Sequence, residues 1–566
     1  MGRNSFRGIP ASKGIAIGKV LKLNRKIIEI PTKKITEEEI ESEVRRFDEA
    51  VITVCTKLQS IISSLEDELR SSLLKAHISI AQDSYLRELC VEQINKGINT
   101  EKALETAAEE IILQFSEVDD AVLRERADDF RDVCESLQRS LLGIENIDLS
   151  RLKEPLIIVA NELFPSDTVS MDSTNVLGFI TELGGATSHV AIVARGLQLP
   201  AVVGIRGIFD SIEDNDRVIL DGSSGTILLS PCDEDIKLYR EKQNEFLSRR
   251  EELKNISSLP TKTACGEGIE LSANIGSLAE LQKAIEVGAE GIGLLRTEFL
   301  YMDAERWPSE EEQFVVYRQI VRSGIPIILR TLDIGGDKSL KYHNFEREEN
   351  PFLGLRAIRF CLENREVFKT QLRAILRASA FGKARIMLPM VISEEEVIKS
   401  RDLISECKNE LDKENIEYDR SIEVGIMIET PAAVFLSKNL AKITDFFSIG
   451  TNDLTQYILA VDRGNRAVSG LYDPFHPALL RAIKLAIDAS HSEGKWAGLC
   501  GELASDPLAV PVLLGLGLDE FSVSPGALLE IKQKIRSLDM ESSRIAASKV
   551  LEMENPAQVR DFLKEL

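Results

Sequence analysis

The spacing of apolar positions divides the chain into stretches of different grain. Between Pro31 and Pro155 there is no proline, and the only glycines are Gly97 and Gly143. Apolar residues there recur at three- and four-residue intervals, the period of a helix with one buried face. Ile40, Val44, Phe47, Val51 and Val54 form one such stripe. Thr36-Glu37-Glu38-Glu39 ahead of it has the form of a capping box. A helical subdomain is predicted over residues 26–146. Outside it, residues 7–24 and 155–230 hold short apolar runs broken by Gly and Pro, at 156–159, 176–180, 201–203, 218–220 and 226–229. The helices therefore read as an insertion into a small α/β domain built from residues 1–25 and 147–231. Residues 233–258 are charged and free of breakers, as suits a connecting helix, and 232–261 is read as the linker.

From 262 to 566 the text alternates strand, turn and helix. Candidate strands lie at 270–274, 291–295, 325–330, 384–390, 422–428, 446–449, 496–499 and 519–523. Eight strands alternating with helical text predict a (β/α)8 barrel, and in that fold the chemistry sits at the C-terminal strand ends. The predicted fold class is α/β: a small α/β domain with a helical insert, a linker helix and a TIM-like barrel.

Charge narrows the function. Of 566 residues, 69 are basic and 92 acidic, a net charge of −23. The span 36–146 carries 26 acidic and 12 basic residues, so −14 of that total sits on the helical insert. This excludes a general nucleic-acid coat, which needs a basic surface. No apolar run approaches the ~18–20 residues of a membrane span, and the first six residues have no apolar core of a secretory signal. The eight cysteines are scattered without a Cys-x-x-Cys pair, which excludes a disulfide framework and a zinc knuckle. A reduced, cytoplasmic, soluble protein is expected, with seven of the cysteines acting as small core hydrophobes.

The densest motif is TELGGATSHVAIVARGLQLPAVVG, residues 181–204. Gly184-Gly185 allows a tight bend, and Ser188 and His189 open an amphipathic helix with Val190, Ile192, Val193 and Leu197 on one side and Arg195 on another. A helix N-terminus attracts anions such as a phosphoryl group. It disfavours the imidazolium, which leaves a neutral, nucleophilic histidine. A lone histidine is more often a cap or a core plug. The Gly-Gly, the Ser and the Ala-Arg-Gly around this one point to chemistry.

The predicted barrel mouth repeats one theme. Arg296 and Arg330 end the second and third strands, Arg356 follows in Asn350-Pro-Phe-Leu-Gly-Leu-Arg356, and Arg463 lies in Val461-Asp-Arg-Gly. Any one arginine is more often a surface ion pair, but four in Gly-rich text near strand ends suit a small, multiply anionic substrate. Glu429 ends the fifth strand, and Asn452 and Asp453 end the sixth. Two carboxylates on adjacent strands suit Mg²⁺, which takes oxygen ligands and keeps substrate oxygens as the rest. The alternative is that both carboxylates pair with the arginines and hold no metal. Cys500 and Glu502 follow the seventh strand, and a thiol there can donate a proton.

The 181–204 stretch resembles the phosphohistidine motif of the phosphoenolpyruvate-utilising enzymes. Over essentially its whole length and in the same domain order, the chain is similar to the enzyme I family of bacterial phosphoenolpyruvate-protein phosphotransferases. The resemblance implies that His189 is phosphorylated by phosphoenolpyruvate and passes the group to a histidine of the phosphocarrier protein HPr in the sugar phosphotransferase system. It implies Thr168 as the residue holding the other ring nitrogen. It assigns Mg²⁺ to Glu429 and Asp453, phosphoenolpyruvate to Arg296, Arg330, Asn452, Asp453 and Arg463, and protonation of enolpyruvate to Cys500, with pyruvate released. Arg356, Lys338 and Glu502 are supporting candidates. It implies that HPr docks on the helical insert, where Glu66, Asp67, Glu68 and Asp83 are candidate contacts and His77 is the histidine to watch. The other histidines, 343, 476 and 491, are read as structural or surface residues. The family implies a homodimer through the barrel. One departure is Ala186, where many relatives have Arg.

Three rivals remain on sequence alone. Pyruvate phosphate dikinase and phosphoenolpyruvate synthase share the histidine motif but carry an ATP-binding domain that this chain has no text for. A barrel-only Mg²⁺-enolate lyase leaves His189 unexplained. A non-catalytic regulator is disfavoured by the intact barrel residues, although Ala186 keeps it open. A nitrogen-type regulatory relative is expected to carry a sensory domain ahead of Gly8-Ile-Pro-Ala-Ser-Lys-Gly14.

Overall fold

The structure is a computed structural model that describes residues 5–23, 30–64, 68–116, 121–144, 152, 154–163, 175–185, 189–197, 199–302, 304–335, 340, 342–343, 345–346, 348–465 and 467–566. The chain forms two compact units, Met1–Arg249 and Arg250–Leu566. Among the described residues no helix is long and apolar enough to cross a membrane.

The first unit contains a mixed eight-stranded sheet: β1 (Ser5–Arg7), β2 (Ile9–Ser12), β3 (Ile15–Leu23), β4 (Leu156–Ala160), β5 (Val176–Thr181), β6 (Ala201–Val203), β7 (Arg217–Asp221) and β8 (Thr226–Leu229). Their order across the sheet is β1-β8-β7-β3-β4-β5-β6-β2. Strands β3 to β6 run parallel, and the flanking pairs are antiparallel. All five residues of β4 are buried because both faces are covered. Ile158 and Ala160 pack on one side and Ile157 and Val159 on the other. A strand covered on both faces reads as a continuous apolar run rather than an alternating one.

Among the described residues between β3 and β4 are five α-helices: α1 (Ile40–Ser64), α2 (Glu68–Ala81), α3 (Ser84–Asn95), α4 (Thr100–Ser116) and α5 (Ala121–Leu141). Phe47 and Val54 of the predicted stripe lie in their shared core with Leu74, Leu86, Leu104, Phe130 and Leu137, and Val51 packs against it. At the start, Glu39 accepts the Thr36 N–H at 2.8 Å, the reciprocal half of the capping box. The N-terminus of α4 is tied to α1 by Glu43, which accepts from Thr100 N–H at 2.8 Å and its hydroxyl at 2.7 Å, and by Arg46, which bridges Glu43 and Glu101.

The helix His189–Leu197 packs on the sheet through Val190, Ala191 and Ala194. Of the expected face of Val190, Ile192, Val193 and Leu197, Val190 is buried against the sheet, Val193 and Leu197 are only half-buried, and the Ile192 side chain lies outside the described residues. Arg195 is exposed, and its Nη1 donates to the Ala11 carbonyl at 3.0 Å.

The second unit is a closed parallel barrel: β9 (Glu270–Ile275), β10 (Gly291–Leu295), β11 (Ile327–Arg330), β12 (Ala384–Leu388), β13 (Glu423–Ile428), β14 (Phe446–Ile449), β15 (Trp496–Leu499) and β16 (Glu520–Val523). Each predicted strand is present, with ends shifted by at most two residues. The apolar residues that pack beneath the helices alternate with inward ones: Ile386 and Leu388 point outward from β12, and Met387 points inward. Small residues shape the interior. A side chain at Gly425 would meet the Phe446 ring at 2.5 Å. Lys532 is buried and donates to the carbonyls of Ser257, Leu259 and Gly288 at 2.9, 2.9 and 3.2 Å, pinning the segment that leads into the barrel.

Two cysteines depart from expectation. Cys232 and Cys265 are exposed, while Cys55, Cys90, Cys134, Cys361 and Cys407 are buried. Cys232 directly precedes the helix Asp233–Asn255 and donates to Asp235 at 3.0 Å, and Cys265 lies in a turn that leaves it in solvent.

Candidate active site

Strand ends bring six charged residues together at the barrel mouth. Arg330, the last residue of β11, is 7% exposed. Its Nη2 donates to Glu298 at 2.6 Å and its Nη1 lies 3.0 Å from Asp333. Arg356, 4% exposed, meets both oxygens of Asp333 at 3.1 Å. Its Nη2 is also 3.5 Å from Asp453. Buried guanidiniums require such partners, because an unpaired charge out of water costs several kcal/mol. Gly335 makes the approach possible: a side chain there would strike the Leu355 carbonyl at 2.3 Å and the Arg356 Cα at 3.0 Å.

Glu429, directly after β13, is 1% exposed. Its Oε1 accepts the Met390 N–H at 2.6 Å. Met390 adopts a left-handed backbone, φ 57°, and Ala357 beside Arg356 has φ 53°. Non-glycine residues held there cost about 1–3 kcal/mol each and persist where surrounding structure enforces them. Burial, then the carboxylates of Asp453 and Asp333, push the Glu429 carboxyl up to about 8, against the pull of Arg330 and Arg356. Four carboxylates, Glu298, Asp333, Glu429 and Asp453, therefore gather around the guanidiniums of Arg330 and Arg356 at the mouth.

Cys500 follows β15 and is 4% exposed. Its Sγ lies 3.8 Å from the Ile449 carbonyl, and Asn274 donates to its own carbonyl at 2.9 Å. Burial pushes the thiol up to about 11. The Glu429 and Glu520 carboxylates add to this, while the Ser448 hydroxyl and Arg330 oppose it. The thiol therefore keeps its proton at neutral pH.

On the rim, Asn452 and Glu502 clasp each other: Asn452 Nδ2 donates to Glu502 at 3.1 Å, and the Glu502 N–H donates back at 2.9 Å. Arg463 reaches Glu502 at 3.7 Å and is 44% exposed in its side chain. Arg296 is exposed, and its side chain makes no ion pair or hydrogen bond with the described residues. The structure thus gathers Arg330, Arg356, Glu429, Asp453 and Cys500 at the mouth, with Asn452, Arg463, Glu502 and Arg296 around it.

The backbone of His189 begins its helix, but its side chain, like Thr168, Ala186 and Lys338, lies outside the described residues. So do Glu66 and Asp67, and the Glu68 side chain. Asp83 is an N-cap, accepting the N–H groups of Tyr85 and Leu86 at 2.7 and 3.2 Å. His77 is 1% exposed, 3.6 Å from Asp129 and 3.8 Å from Asp132, so it does not present itself at the surface. His343 packs among Trp307, Phe345 and Phe360, His476 caps a helix through Ala478 N–H, and His491 pairs with Asp519.

Sequence reasoning missed Glu298, Asp333 and Asn274. The first two were signalled by acids two or three residues after a strand-end arginine, in Arg296-Thr-Glu298 and Arg330-Thr-Leu-Asp333. Asn274 was signalled only by a polar residue at an inward position of β9.

Three family models cover most of the chain: the PEP-utilising enzyme N-terminal model at residues 7–126, the mobile domain at 152–225 and the PEP-binding domain at 250–540. The chain is 43% identical to a phosphoenolpyruvate-protein phosphotransferase of Mycoplasma capricolum, covering 99% of each chain. It is 43% identical to that of Haemophilus influenzae, covering 99% of this chain and 98% of that one. It is 42% identical to that of Bacillus subtilis, covering 99% of each. An Enzyme I structure solved by NMR is 32% identical and covers 43% of this chain and 99% of its own, with a TM-score of 0.39. With full-length relatives above 40% identity and a closed barrel that gathers these residues at its mouth, the chain belongs to the phosphoenolpyruvate-protein phosphotransferase family of PEP-utilising enzymes.

Proposed function

We propose that the protein takes the phosphoryl group of phosphoenolpyruvate onto His189, passes it to a histidine of the phosphocarrier protein HPr and releases pyruvate, the first step of the sugar phosphotransferase system, in the cytoplasm. The observation that supports this most is the barrel mouth, where buried arginines and carboxylates adjoin a protonated thiol. Arg330 and Arg356 are already fixed by Glu298 and Asp333, so binding an anion costs them little reorganisation. Arg296, Arg463 and Asn452 stand on the rim to hold the remaining phosphate and carboxylate oxygens, with Lys338 as a further cation.

The residues fit Mg²⁺ by their chemistry. The Asp453 and Asp333 carboxylates raise the cost of ionising the buried Glu429. A divalent oxygen-seeking cation held by Glu429 and Asp453 and by substrate oxygens would relieve that repulsion, and when bound it would supply charge withdrawal from the phosphoryl group.

His189 attacks phosphorus in line, with Thr168 holding the other ring nitrogen. The P–O bond to the enol breaks, and Cys500 gives its proton to C3 of enolpyruvate, forming pyruvate. His189 must then move between barrel and partner, so residues 1–25 and 147–231 act as the swivelling carrier, 232–261 as its linker and 262–566 as the substrate and dimerisation barrel. The helical insert 26–146 docks HPr, its net acidity drawing a basic carrier surface. A crosslink holding the carrier away from the barrel is expected to abolish autophosphorylation; unchanged labelling refutes the swivel.

The deciding experiment is incubation with [³²P]phosphoenolpyruvate and Mg²⁺, wild type beside His189→Ala. Acid-labile, alkali-stable label on wild type alone, with pyruvate released in step, is expected. No label on folded, Mg²⁺-loaded wild type overturns the reading in favour of a binding protein.

A further inference from the structure

Directly beneath Cys500 the barrel holds a carboxyl that the reaction above does not use. Glu520, the first residue of β16, is 1% exposed, and both of its oxygens lack a well-aligned hydrogen-bond partner. Its space is made by two glycines. A side chain at Gly293 would meet its Oε1 at 2.6 Å, and one at Gly498 its Oε2 at 2.3 Å. Gly498 is the inward residue one pleat below Cys500 on β15, and it pairs with Glu520 across the sheet. Inward residues of one strand are spaced roughly 6–7 Å apart, which places the carboxyl about one interior layer below the thiol.

The row continues on both sides. Ser448 pairs with Gly498 and lies against the Cys500 thiol. Glu520 pairs with Glu270, which is half-buried at the N-terminal rim of β9, with Arg385 nearby, and Ser272 lies against the Glu520 carboxyl. The hydroxyls of Ser272 and Ser448 are enclosed like the carboxyl, and neither makes a well-aligned hydrogen bond. Native interiors rarely leave a buried polar group without a well-aligned bond, and a row of four such atoms calls for a function. An isolated carboxylate there would be prohibitively costly, so the group is carried as the neutral acid. Burial and the adjacent Glu270 push Glu520 up to about 8, consistent with that form at neutral pH.

We propose that Glu520 is the proton reserve for Cys500, resupplying the thiol from the N-terminal side of the barrel while the substrate closes the mouth. The inference rests on the function proposed above. When Cys500 protonates enolpyruvate, its S–H bond breaks and a C–H bond forms at C3, leaving a thiolate. The O–H bond of Glu520 then breaks, and its proton passes to sulfur by way of the interior hydroxyls. The Glu520 carboxylate regains a proton from solvent through Glu270. One solvent proton is consumed per pyruvate formed, and no electrons change hands. Glu520 acts through Cys500 and does not touch substrate.

The test separates proton resupply from bond making. Full-length protein is incubated in D₂O with Mg²⁺, phosphoenolpyruvate and [¹⁴C]pyruvate. Two rates are followed: ¹⁴C exchange into phosphoenolpyruvate, and deuterium entry at C3 of pyruvate corrected for the enzyme-free rate. Exchange returns to the thiolate the proton it gave, so it needs no resupply, whereas deuterium entry requires the sulfur to be recharged from solvent. In Glu520→Gln the ratio of deuterium entry to ¹⁴C exchange is expected to fall at least tenfold, and Glu520→Asp to restore it in part. A purely structural role lowers both rates together and leaves the ratio unchanged, which overturns the proposal. An unchanged ratio with unchanged rates overturns it equally, since solvent then reaches Cys500 from the mouth. Absence of ¹⁴C exchange in wild type refutes the proposed phosphotransfer itself, a distinct result.

Discussion

Asp333 is the hinge pin of the anion site, and replacing it with Asn tests how the arginines are held. The carboxylate is 2% exposed and meets Arg356 at 3.1, 3.1 and 3.3 Å and Arg330 at 3.0 Å. Asparagine keeps the shape but removes the charge and puts an N–H₂ where one guanidinium expects an acceptor. Two effects oppose. Losing one partner of a buried ion pair costs ~3–5 kcal/mol. Removing Asp333 also eases the repulsion it exerts on Glu429. The first acts at contact distance on two arginines and the second only through space, so the contact loss dominates, at about 3 kcal/mol net. At roughly 2 °C per kcal/mol for a unit of this size, the barrel transition should fall by about 6 °C. Calorimetry of the full-length protein reads this directly. With the arginine forks released, kcat/KM for phosphoenolpyruvate should fall at least tenfold, about 1.4 kcal/mol. A transition within 1 °C of wild type and an unchanged kcat/KM would show that Asp333 does not position the arginines.

Further consequences follow from the same geometry. Because Glu429 titrates near 8 in the folded protein and near 4.5 when unfolded, unfolding releases its proton between those values, and stability falls as pH rises through that window by up to ~1.4 kcal/mol per pH unit. Glu429→Gln in EDTA should therefore melt higher than wild type at pH 8 and match it more closely at pH 5; an equal gap at both pH values contradicts the raised carboxyl. With Glu429 as the proposed Mg²⁺ ligand, binding displaces that proton, so the affinity measured by calorimetric titration should rise from pH 6 to pH 8, and a flat profile counts against Glu429 as a ligand. At pH 7.5, iodoacetamide followed by peptide mass mapping should modify Cys265, exposed and held lower by Thr263, well before Cys500, buried and near 11; the reverse order would place Cys500 in open solvent. Gly425→Ala forces a methyl into the Phe446 ring and should cost ~1–3 kcal/mol in urea unfolding; no loss would mean that the barrel interior is looser than its distances indicate.

The sequence by itself determined the element order, because helix and strand periodicities are local. The stripe ending in Phe47 and Val54, the five-residue run of β4 and the eight barrel strands are each legible within one short window. Placing the arginines and acids at strand ends was legible too, since a parallel barrel sends every C-terminus to one mouth. What pairs with what was not. Glu298, Asp333 and Arg356 lie on separate loops, and only closure of the barrel brings them within 2.6 to 3.3 Å of their partners. The inward facing of Asn274 and Glu520 depends on strand register, which a one-residue shift inverts. The exposure of Cys232 and Cys265 and the burial of His77 likewise depend on neighbours distant in sequence. Hydrophobic burial is non-directional and leaves a repeating trace along the chain, whereas ion pairs and hydrogen bonds act over a few ångströms between residues that the trace does not connect; the tertiary structure alone decides them.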